Sequence, residues 1–388
     1  RIKDRVAATG RLTAWLNNDT TNSGAKLGYY SPNHANRRSG FAIGIRARLR
    51  LTPAAVARVE FLGKVVVIAP LSGLKGQRQT RIEILDWMDE AARTRLEGVA
   101  LQTDKQGHQL FNTALAEATH QPEAVQTDSL ISETYPYAFD SAHDETTTVL
   151  AEFQRIAQSS LARIFMDGQT LVYESRAIRA RVTANADEFV DTELTELEAA
   201  RDREQLMNWL QLSFGQRRLG TTATEILWQN QKAFKIVPGQ VVDPVNGPYV
   251  DPTGRAVRVG GTDMVTPVVT TDYTANSASD GSGTDLTTSL SVTATIGANS
   301  VRFRLENTGT QDLWVTKLQI RGRGIYYDEV ASVEASDSTS QSLYGRISDS
   351  MEMPYQSDVT LAGEAAQYFV KLFKDPLTFA DHAGGMAD

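Results

Sequence analysis

Residues 290–322, LSVTATIGANSVRFRLENTGTQDLWVTKLQIRG, contain the clearest fold signal of this chain. Apolar and polar residues alternate there in three runs, which the turn-forming sequences GANS and NTGTQ separate. The predicted inward faces of these runs are Val292, Ala294 and Ile296, then Val301, Phe303 and Leu305, then Trp314, Thr316, Leu318 and Ile320. The stretch therefore predicts a three-stranded meander in a small β-sandwich over residues 225–330. The segment before it, SASDGSGTDLTTS, has the composition of a flexible loop.

The same alternation recurs near the beginning of the chain, in GRLTAWLN, RARLRLT, RVEFLGKVVVIAP and QTRIEILDWM. The last two runs are expected to form a long hairpin through the loop around Gly73 and Gly76. Between the first two lies NNDTTNSGAKLGYYSPNHANRRSGF, which is too polar and turn-rich for a core. We expect a β domain at 1–94, with this insertion as a surface loop or an arm onto a neighbour.

The pattern changes to helical spacing in the middle of the chain. Thr103 and Gln106 form a candidate capping box, and Asp144 is the candidate start of a second helix. Asp167-Gly168 indicates a tight hairpin. Residues 95–190 are therefore predicted to form a small α+β domain. The expected buried helix positions are Leu110, Phe111, Ala114, Leu115 and Ala118, then Val149, Leu150, Phe153, Ile156, Ala157 and Leu161.

A second β domain is predicted to begin at 191–224, which includes LMNWLQLSF, and to continue at 331–388 after the sandwich. In STSQSLYGRISDSMEMPYQSD a polar strand is expected to end at Pro354, before a helix that Asp358 caps and Pro376 stops. Few residues follow, so we expect the chain to end before its fold does, or to complete it with a neighbour. The predicted faces are Ile347, Met351 and Met353 on the strand and Val359, Ala362, Ala366, Phe369, Val370 and Phe373 on the helix.

Composition excludes several classes of protein. At 388 residues the chain is long enough for several domains, and it has no apolar run of the roughly 20 residues that span a membrane. The net charge of −8 argues against a protein that grips nucleic acid through clustered cations. The chain has no cysteine, so disulfides, thiolate zinc sites and cysteine nucleophiles are excluded. Because it begins with Arg1, we expect a processed, trimmed or partial chain.

Motifs that carry chemistry are mostly absent. The five histidines are not at metal-ligand spacing, and HDETT at 143–147 is better interpreted as a helix cap than as an acid-base or metal cluster. DGSGTD is interpreted as a linker rather than a nucleophile elbow, and Gly322 and Gly324 as a bulge or kink rather than a nucleotide loop. The sequence therefore predicts no enzyme, with no catalytic, cofactor-binding or metal-ligating residue and no cofactor.

Three surface features keep two interpretations each. Carboxylates in ADEFVDTELTELEAARDRE are expected on a solvated surface, although two of them could flank a glycosidic bond. Arg46, Arg48 and Arg50 share a strand face, which is either a solvent-facing edge or a contact to an acidic neighbouring subunit. Tyrosines in GYYSP, YPY and IYYD are more typical of β structure and subunit contacts than of sugar stacking.

The order of these pieces resembles the distal tail hub, or tail-associated, proteins of long-tailed bacteriophages. The resemblance lies in ATGRLTAWLNN, GYYSPNHANRRSG and RIEILDWM, in LARIFMDGQTLVYESR, and in SLYGRISDSMEMPYQSD followed by an Ala-rich helix and KDP. The last stretch is similar to the hub pattern S-x-x-x-Y-G-x-R, Pro-Tyr, Asp, helix, although here Gly345 and Arg346 are adjacent. The region 225–330 looks like an insertion into the minimal hub.

The resemblance implies a mainly β chain with two tail-tube-like β domains, an α+β domain between them and an inserted β-sandwich. Three subunits would form a pseudo-sixfold ring that continues the tail tube and adapts it to the host-recognition tip during DNA delivery. The implied location is the distal end of the virion tail, after synthesis in the host cytoplasm. The implied partners are a distal tail protein ring, a tape measure protein, and tip fibre or receptor-binding proteins.

Viral DNA would pass through such a ring without specific binding, near the host envelope. An acidic lining suits that channel, and we expect some acidic residues between Asp187 and Glu204 to face it. A plain hexameric ring remains an alternative to the trimer. A secreted or virion-surface β-sandwich, acting as a glycan-binding adhesin or glycosidase, is the alternative function.

Overall fold

The computed structural model describes residues 6–51, 58–71, 78–96, 98–130, 133–140, 147–181, 194–201, 206–249, 257–327, 330–376 and 378–384. The fold is mainly β, with several sheets and a few helices. No helix among these residues is long and apolar enough to cross a membrane.

The N-terminal sheet has four antiparallel strands: β1 (Arg11–Asn17), β2 (Arg46–Leu51), β3 (Arg58–Leu71) and β4 (Gln79–Leu85). Their order is β1-β4-β3-β2, so β1 and β2 are the two edges. Val65, Ile82 and Ile84 are buried on the face that also receives Phe41 from the turn-rich insertion. The four predicted strands and the long β3–β4 hairpin are confirmed. The insertion folds back through a series of turns and packs Tyr30 beside Phe41.

The α+β unit consists of α1 (Met88–Arg93), α2 (Gly107–Ala116), β5 (Ala124–Thr127), α3 (Val149–Ser160), β6 (Arg163–Asp167) and β7 (Thr170–Glu174). Its sheet order is β5-β7-β6, with β5 parallel to β7. The predicted hairpin is confirmed, although the two residues between the paired Asp167 and Thr170 are Gly168 and Gln169. A short helix, α4 (Arg176–Arg181), follows.

Of the two predicted helix starts in this unit, the structure corrects the first. The capping box is formed by Gln106 and Gln109 rather than by Thr103 and Gln106, because the helix begins at Gly107. The helix α3 is capped by the hydroxyl of Thr148, which accepts a hydrogen bond from the Ala151 amide at 3.2 Å. The predicted cap Asp144 lies outside the described residues. All the apolar positions predicted on the buried faces of the two helices are buried except Leu150, which is half-buried.

The next strands are β8 (Leu194–Arg201) and β9 (Trp209–Phe214), followed by the sandwich strands β10 (Arg217–Leu219), β11 (Glu225–Gln229), β12 (Phe234–Ile236), β13 (Val241–Pro248), β14 (Val257–Val265), β15 (Tyr273–Asn276), β16 (Leu290–Ile296), β17 (Ser300–Asn307) and β18 (Leu313–Tyr327). One sheet has the order β13-β17-β16, and in the other β10, β11, β12, β14 and β15 all pair with the long strand β18. The apolar core lies between the two sheets and includes Phe303 and Leu318.

The predicted meander is wrong in its last strand. β16 pairs with β17, but β18 crosses to the facing sheet, because closing a sandwich core places successive strands in different sheets. The inward face of β18 also differs, since Leu313 and Val315 are buried in place of Trp314 and Thr316. The register against β15 shifts between Thr274 and Ala275, which changes the alternation before Leu318.

The loop before β16 is closed by hydrogen bonds. The side-chain amide of Asn276 donates to the carbonyl oxygens of Gly281, at 3.2 Å, and Gly283, at 3.1 Å. The Thr284 amide donates to the hydroxyl of Ser277 at 2.8 Å. The loop is a set of side-chain-stabilised turns within the sandwich, a detail that its composition did not predict.

The C-terminal unit combines β9 with β19 (Ala331–Ser336), α5 (Ser338–Tyr344), β20 (Ser348–Met353) and α6 (Val359–Phe373). Its sheet order is β19-β9-β20, and β20 runs parallel to β9. The helix α6 covers one face of this sheet. A further strand, β21 (Thr378–Gly384), pairs with β8.

Three predictions for this unit have clear outcomes. Asp358 caps α6 as predicted, accepting hydrogen bonds from the amides of Thr360 and Leu361. The helix buries its predicted positions except Val359, which is exposed at its first turn, and Phe373, which is half-buried. Residues 338–344 form a helix rather than a strand, because the Asp337 carboxylate caps its first turn through the Ser340 amide.

Candidate functional site: a buried polar junction and open sheet edges

A carboxylate occupies the buried face of α3. The helix turns Phe153, Ile156 and Ala157 into the core, and Glu152 lies on the same side with its side chain 0% exposed. Burial of an ionised carboxylate is strongly unfavourable unless charged or hydrogen-bonding groups surround it. Its partners therefore show what this position does.

Glu152 meets the C-terminal unit through Tyr355, which is fully buried in the turn after β20. The Tyr355 hydroxyl donates a short hydrogen bond to Glu152 Oε1. The Tyr355 amide donates to Ser159 Oγ on α3 at 2.9 Å, and Arg155 Nη1 lies 3.4 Å from Glu152 Oε2. Side-chain and backbone contacts thus join α3 to the segment that follows β20.

A buried ion pair adjoins this contact. Arg217, at the start of β10, is bidentate with Asp140, with Nε 2.7 Å from Oδ2 and Nη2 3.3 Å from Oδ1. Both side chains are nearly inaccessible, at 3% and 0% exposed. The Arg217 guanidinium also lies over the rings of Tyr327 and Tyr355, at 5.3 and 5.7 Å from their centroids. This geometry suits arginine because its planar group binds a carboxylate and stacks on rings simultaneously.

We call the set of Asp140, Glu152, Arg155, Arg217 and Tyr355 the polar junction. It joins the α+β unit, the first sandwich strand and the C-terminal unit. Burial raises the pKa of Glu152 to about 7, although Arg155 and the Tyr355 hydroxyl oppose that shift; nearby Asp140 adds to it. Burial also raises the pKa of Tyr355 well above its usual value, so its phenol is a hydrogen-bond donor at any physiological pH.

Sequence analysis missed the polar junction. Its one visible signal is the sequence VLAEFQRIAQSS, in which Glu152 interrupts the apolar face between Val149 and Ile156. Tyr355 belongs to the Pro-Tyr step that the sequence resemblance includes, but its contact with α3 spans 203 residues of chain. No local pattern connects the two.

A cleft of about 390 Å³ separates the N-terminal sheet from the α+β unit. Lys64 Nζ lies 2.9 Å from Glu90 Oε2, and His120 Nδ1 lies 3.1 Å from Glu90 Oε1. Burial acts to raise the pKa of Glu90, but hydrogen bonds from Lys64 and His120 lower it overall. Trp87 Nε1 donates to the His120 carbonyl oxygen at 2.7 Å. These contacts join the two walls of the cleft and suit a structural role.

Both edges of the N-terminal sheet present exposed side chains. Arg46, Arg48 and Arg50 are exposed on β2, and Arg46 forms an ion pair with Glu123, the residue just before β5. On the opposite edge, β1 exposes 57% of Trp15. Neither β1 nor β2 has a second strand neighbour among the described residues.

One of the five histidines and the tyrosine that begins the sequence YPY occupy separate places. His108 is half-buried, and burial lowers its pKa against the effect of Asp128. Tyr135 is fully buried, and its hydroxyl donates to Glu133, so it does not present a ring for sugar stacking. Among the described residues, no group of three or more His, Asp or Glu side chains is arranged to hold a metal ion.

Gly322 and Gly324 lie in β18, where a side chain at Gly324 would lie 2.2 Å from Glu225 Oε1. Glu225 accepts hydrogen bonds from the Gly324 amide and the Tyr326 hydroxyl, so close approach explains this glycine. HDETT, apart from Thr147, and the side chains of the acidic segment from Asp187 to Glu204 lie outside the described residues.

Comparison with known proteins gives phage tail proteins among the structural likenesses. No family model and no curated protein matches the chain. A tail protein from Neisseria meningitidis MC58 is 11% identical at a TM-score of 0.33, covering 41% of this chain and 48% of its own. The 43 kDa tail protein of prophage MuSo2 from Shewanella oneidensis is 12% identical at a TM-score of 0.36, covering 53% of this chain and 57% of its own.

The prophage tail protein gp18 from Listeria monocytogenes EGD-e is 10% identical at a TM-score of 0.27, covering 44% of this chain and 52% of its own. The chain thus spans about half the length of these three solved structures.

Proposed function

We propose that this chain is a structural, non-catalytic component of a phage tail tip, where copies form a ring that continues the tail tube channel. The observation that carries the proposal is the N-terminal sheet, in which β1 and β2 are edges without a second strand neighbour among the described residues. An edge strand exposes unpaired backbone groups, which natural proteins blunt with charged side chains, cover with another element or pair with a neighbouring chain. Pairing of each edge with a neighbouring tube-like domain would be head-to-tail, and such pairing closes into a ring when the rotation permits.

The second support is the way the units are tied together. The polar junction joins the α+β unit, the sandwich and the C-terminal unit by contacts that are directional and buried. A ring component must transmit position from one contact surface to the next, and directional contacts fix orientation better than an apolar patch does.

The proposed organisation has tail-tube-like domains at 1–94 and at 191–224 with 331–388, the α+β domain at 95–190 and the inserted sandwich at 225–330. The pairing of β9 with both β19 and β20 supports a C-terminal unit interrupted by the sandwich. The motif order that resembles tail hub proteins supports the distal position, a trimer, and contacts with a distal tail ring and tip fibres. The acidic channel lining between Asp187 and Glu204 remains a prediction.

Charge reversal on the β2 edge tests the proposal. In the double variant Arg48→Glu and Arg50→Glu, the exposed edge face changes sign while Arg46 keeps its pair with Glu123. We expect the folded chain to lose self-assembly, measured by light scattering, because a contact between this basic face and an acidic surface of the neighbouring subunit would become repulsive. The matched control is Arg302→Glu and Arg304→Glu on β17 of the sandwich. Assembly that survives charge reversal at the edge would contradict the proposal, and so would an equal loss of assembly in the control.

A further inference from the structure

A loop of the sandwich presents two apolar side chains to solvent. The loop comprises residues 266–271, between β14 and β15, and we call it the valine loop. It exposes 47% of Val268 and 45% of Val269. Exposed apolar side chains that stand next to each other on a rigid loop are typical of a contact surface. The structure of the loop and the chemistry of its residues indicate what it contacts.

The valine loop is anchored by a buried carboxylate. Asp272 is 1% exposed, and its Oδ2 accepts a hydrogen bond from the Val268 amide at 2.8 Å. Arg321 Nε and Nη2 donate to the same carboxylate at 2.6 and 3.0 Å, and Gln319 Nε2 donates to it at 3.0 Å. Because charge-assisted hydrogen bonds are directional, these contacts hold the loop in one arrangement.

The backbone of the loop is also strained. Thr270 has a φ of 65°, a left-handed conformation that a β-branched residue rarely adopts. Its amide donates to the Tyr273 carbonyl oxygen at 3.0 Å, and the Asp272 amide donates to the Val268 carbonyl oxygen at 2.7 Å. Such strain persists only where surrounding contacts over-determine it, and it clusters at binding sites. A loop that is already fixed loses little conformational freedom when it binds.

The residues of the loop favour an apolar protein surface as the partner. No residue from Met264 to Thr271 is charged or aromatic. Nucleic acid is held by clustered cations, and a sugar ring stacks on an aromatic side chain, so neither ligand suits this sequence. The cores of protein interfaces, by contrast, are depleted in charged residues. The partner surface should therefore be concave, apolar and free of unpaired charge.

The cleft between the N-terminal sheet and the α+β unit has these properties. Its volume is about 390 Å³, and its apolar lining residues are Leu62, Leu85, Trp87, Pro122 and Met166. Its charged lining residues already have partners: Lys64 and His120 pair with Glu90, Arg46 with Glu123, and Asp89 with Arg93, while Asp86 accepts a hydrogen bond from the Met88 amide. An uncharged occupant thus leaves these pairs intact and covers the apolar walls.

We propose that the valine loop of one copy of the chain inserts into the cleft of a neighbouring copy. The inference rests on the proposed assembly and identifies one of its contacts. Within one chain the two surfaces do not meet, because both valines are exposed and the described residues that line the cleft include none from the loop. The contact joins two different surfaces, so it is head-to-tail and can be repeated around a ring.

Disulfide formation between two variants tests the contact, because the original chain has no cysteine. Val269→Cys lies in the loop, and Thr119→Cys lies at an exposed position that lines the cleft. The two variants are mixed while dilute, concentrated and oxidised. We expect a covalent dimer in the mixture and in neither variant alone, because the contact brings one residue of each kind within disulfide reach. In the matched control, Thr360→Cys on α6 replaces Thr119→Cys and should give no dimer.

A charge on the loop gives a second measurement. Val269→Asp should weaken self-association by about 10- to 100-fold, because an apolar side chain that the contact buries is replaced by a carboxylate. Val241→Asp, at a 42% exposed position on β13, is the control and should associate like the original chain. Analytical ultracentrifugation measures the dissociation constants of the three chains.

The outcomes separate this contact from the proposed function. If the chain assembles but the mixed variants give no covalent dimer, or Val269→Asp associates as tightly as the original chain, the contact is overturned and the ring is not. If Val269→Cys alone gives the dimer, two loops meet each other and insertion into the cleft is overturned. A chain that is monomeric at every concentration overturns the contact and the proposed function together.

Discussion

The sandwich and the polar junction are stabilised by opposite means. The sandwich buries an apolar core between two sheets, with Phe303, Val315 and Leu318 fully inaccessible. The polar junction buries Asp140 and Arg217 as an ion pair and Glu152 beside a phenol. Apolar burial is non-directional, whereas bidentate and charge-assisted hydrogen bonds fix orientation. The difference indicates that apolar burial stabilises the sandwich, whereas the directional contacts of the junction fix how the elements around it are oriented.

The largest expected effect is in the sandwich core. Phe303→Ala removes a fully buried ring that packs beside Trp228, and should destabilise the sandwich by about 3–5 kcal/mol. Urea denaturation followed by Trp fluorescence measures the change. Val241→Ala, at a half-exposed position in the same sheet, is the control and should change stability far less. A similar loss in both variants would contradict a single apolar core.

The next effect is in the junction. Arg217→Met deletes the bidentate partner of Asp140 and should destabilise the chain by about 3 kcal/mol, because a buried carboxylate loses its counter-charge. Hydrogen exchange should report the loss in segments 133–140 and 351–358 rather than in the sandwich. Arg304→Met removes a partly exposed pair with Glu306 and is the matched control. Equal losses of stability in the two variants would show that the buried ion pair contributes no more than the partly exposed one.

A smaller change tests the backbone contact of the junction. Ser159→Ala leaves the Tyr355 amide buried without its acceptor and should cost about 1–2 kcal/mol. Thermal unfolding and exchange at residues 351–358 measure it. Ser342→Ala, at an exposed position on α5, should be close to neutral. If Ser159→Ala and Ser342→Ala were equally stable, the backbone contact would not contribute to the stability of the chain.

The smallest effect is expected at the surface. Arg46→Ala removes an exposed ion pair with Glu123 and should change stability by at most about 0.5 kcal/mol. Thermal unfolding should therefore be nearly unchanged. A loss of stability as large as that of Arg217→Met would contradict the account. It would mean that the contact between β2 and the α+β unit stabilises the chain as much as the polar junction does.

Sequence reasoning was reliable where the signal is local. Strand faces repeat every two residues and helix faces every three or four, so the strands of the N-terminal sheet and the core faces of α2 and α3 could be predicted. The cap of α6 at Asp358 is equally local. These features require no knowledge of which elements meet.

The failures involve pairing and partners. Alternation in β18 could not show that the strand joins the facing sheet, nor that an irregular register would exchange Trp314 for Val315 on the inner face. Glu152 looked like any helix glutamate, because its partner Tyr355 is 203 residues away. The composition of residues 338–344 likewise left the choice between strand and helix to the Asp337 cap. Open sheet edges, too, are visible only once strand order is known.

The mass and symmetry of the purified assembly test the central claim most directly. Light scattering combined with averaged particle images gives both for the full chain. The account predicts a closed ring with three copies of the 42.5 kDa chain, in which β1 and β2 are covered by neighbouring subunits. A chain that stays monomeric across the concentration range, with β1 and β2 exposed to solvent, would contradict it.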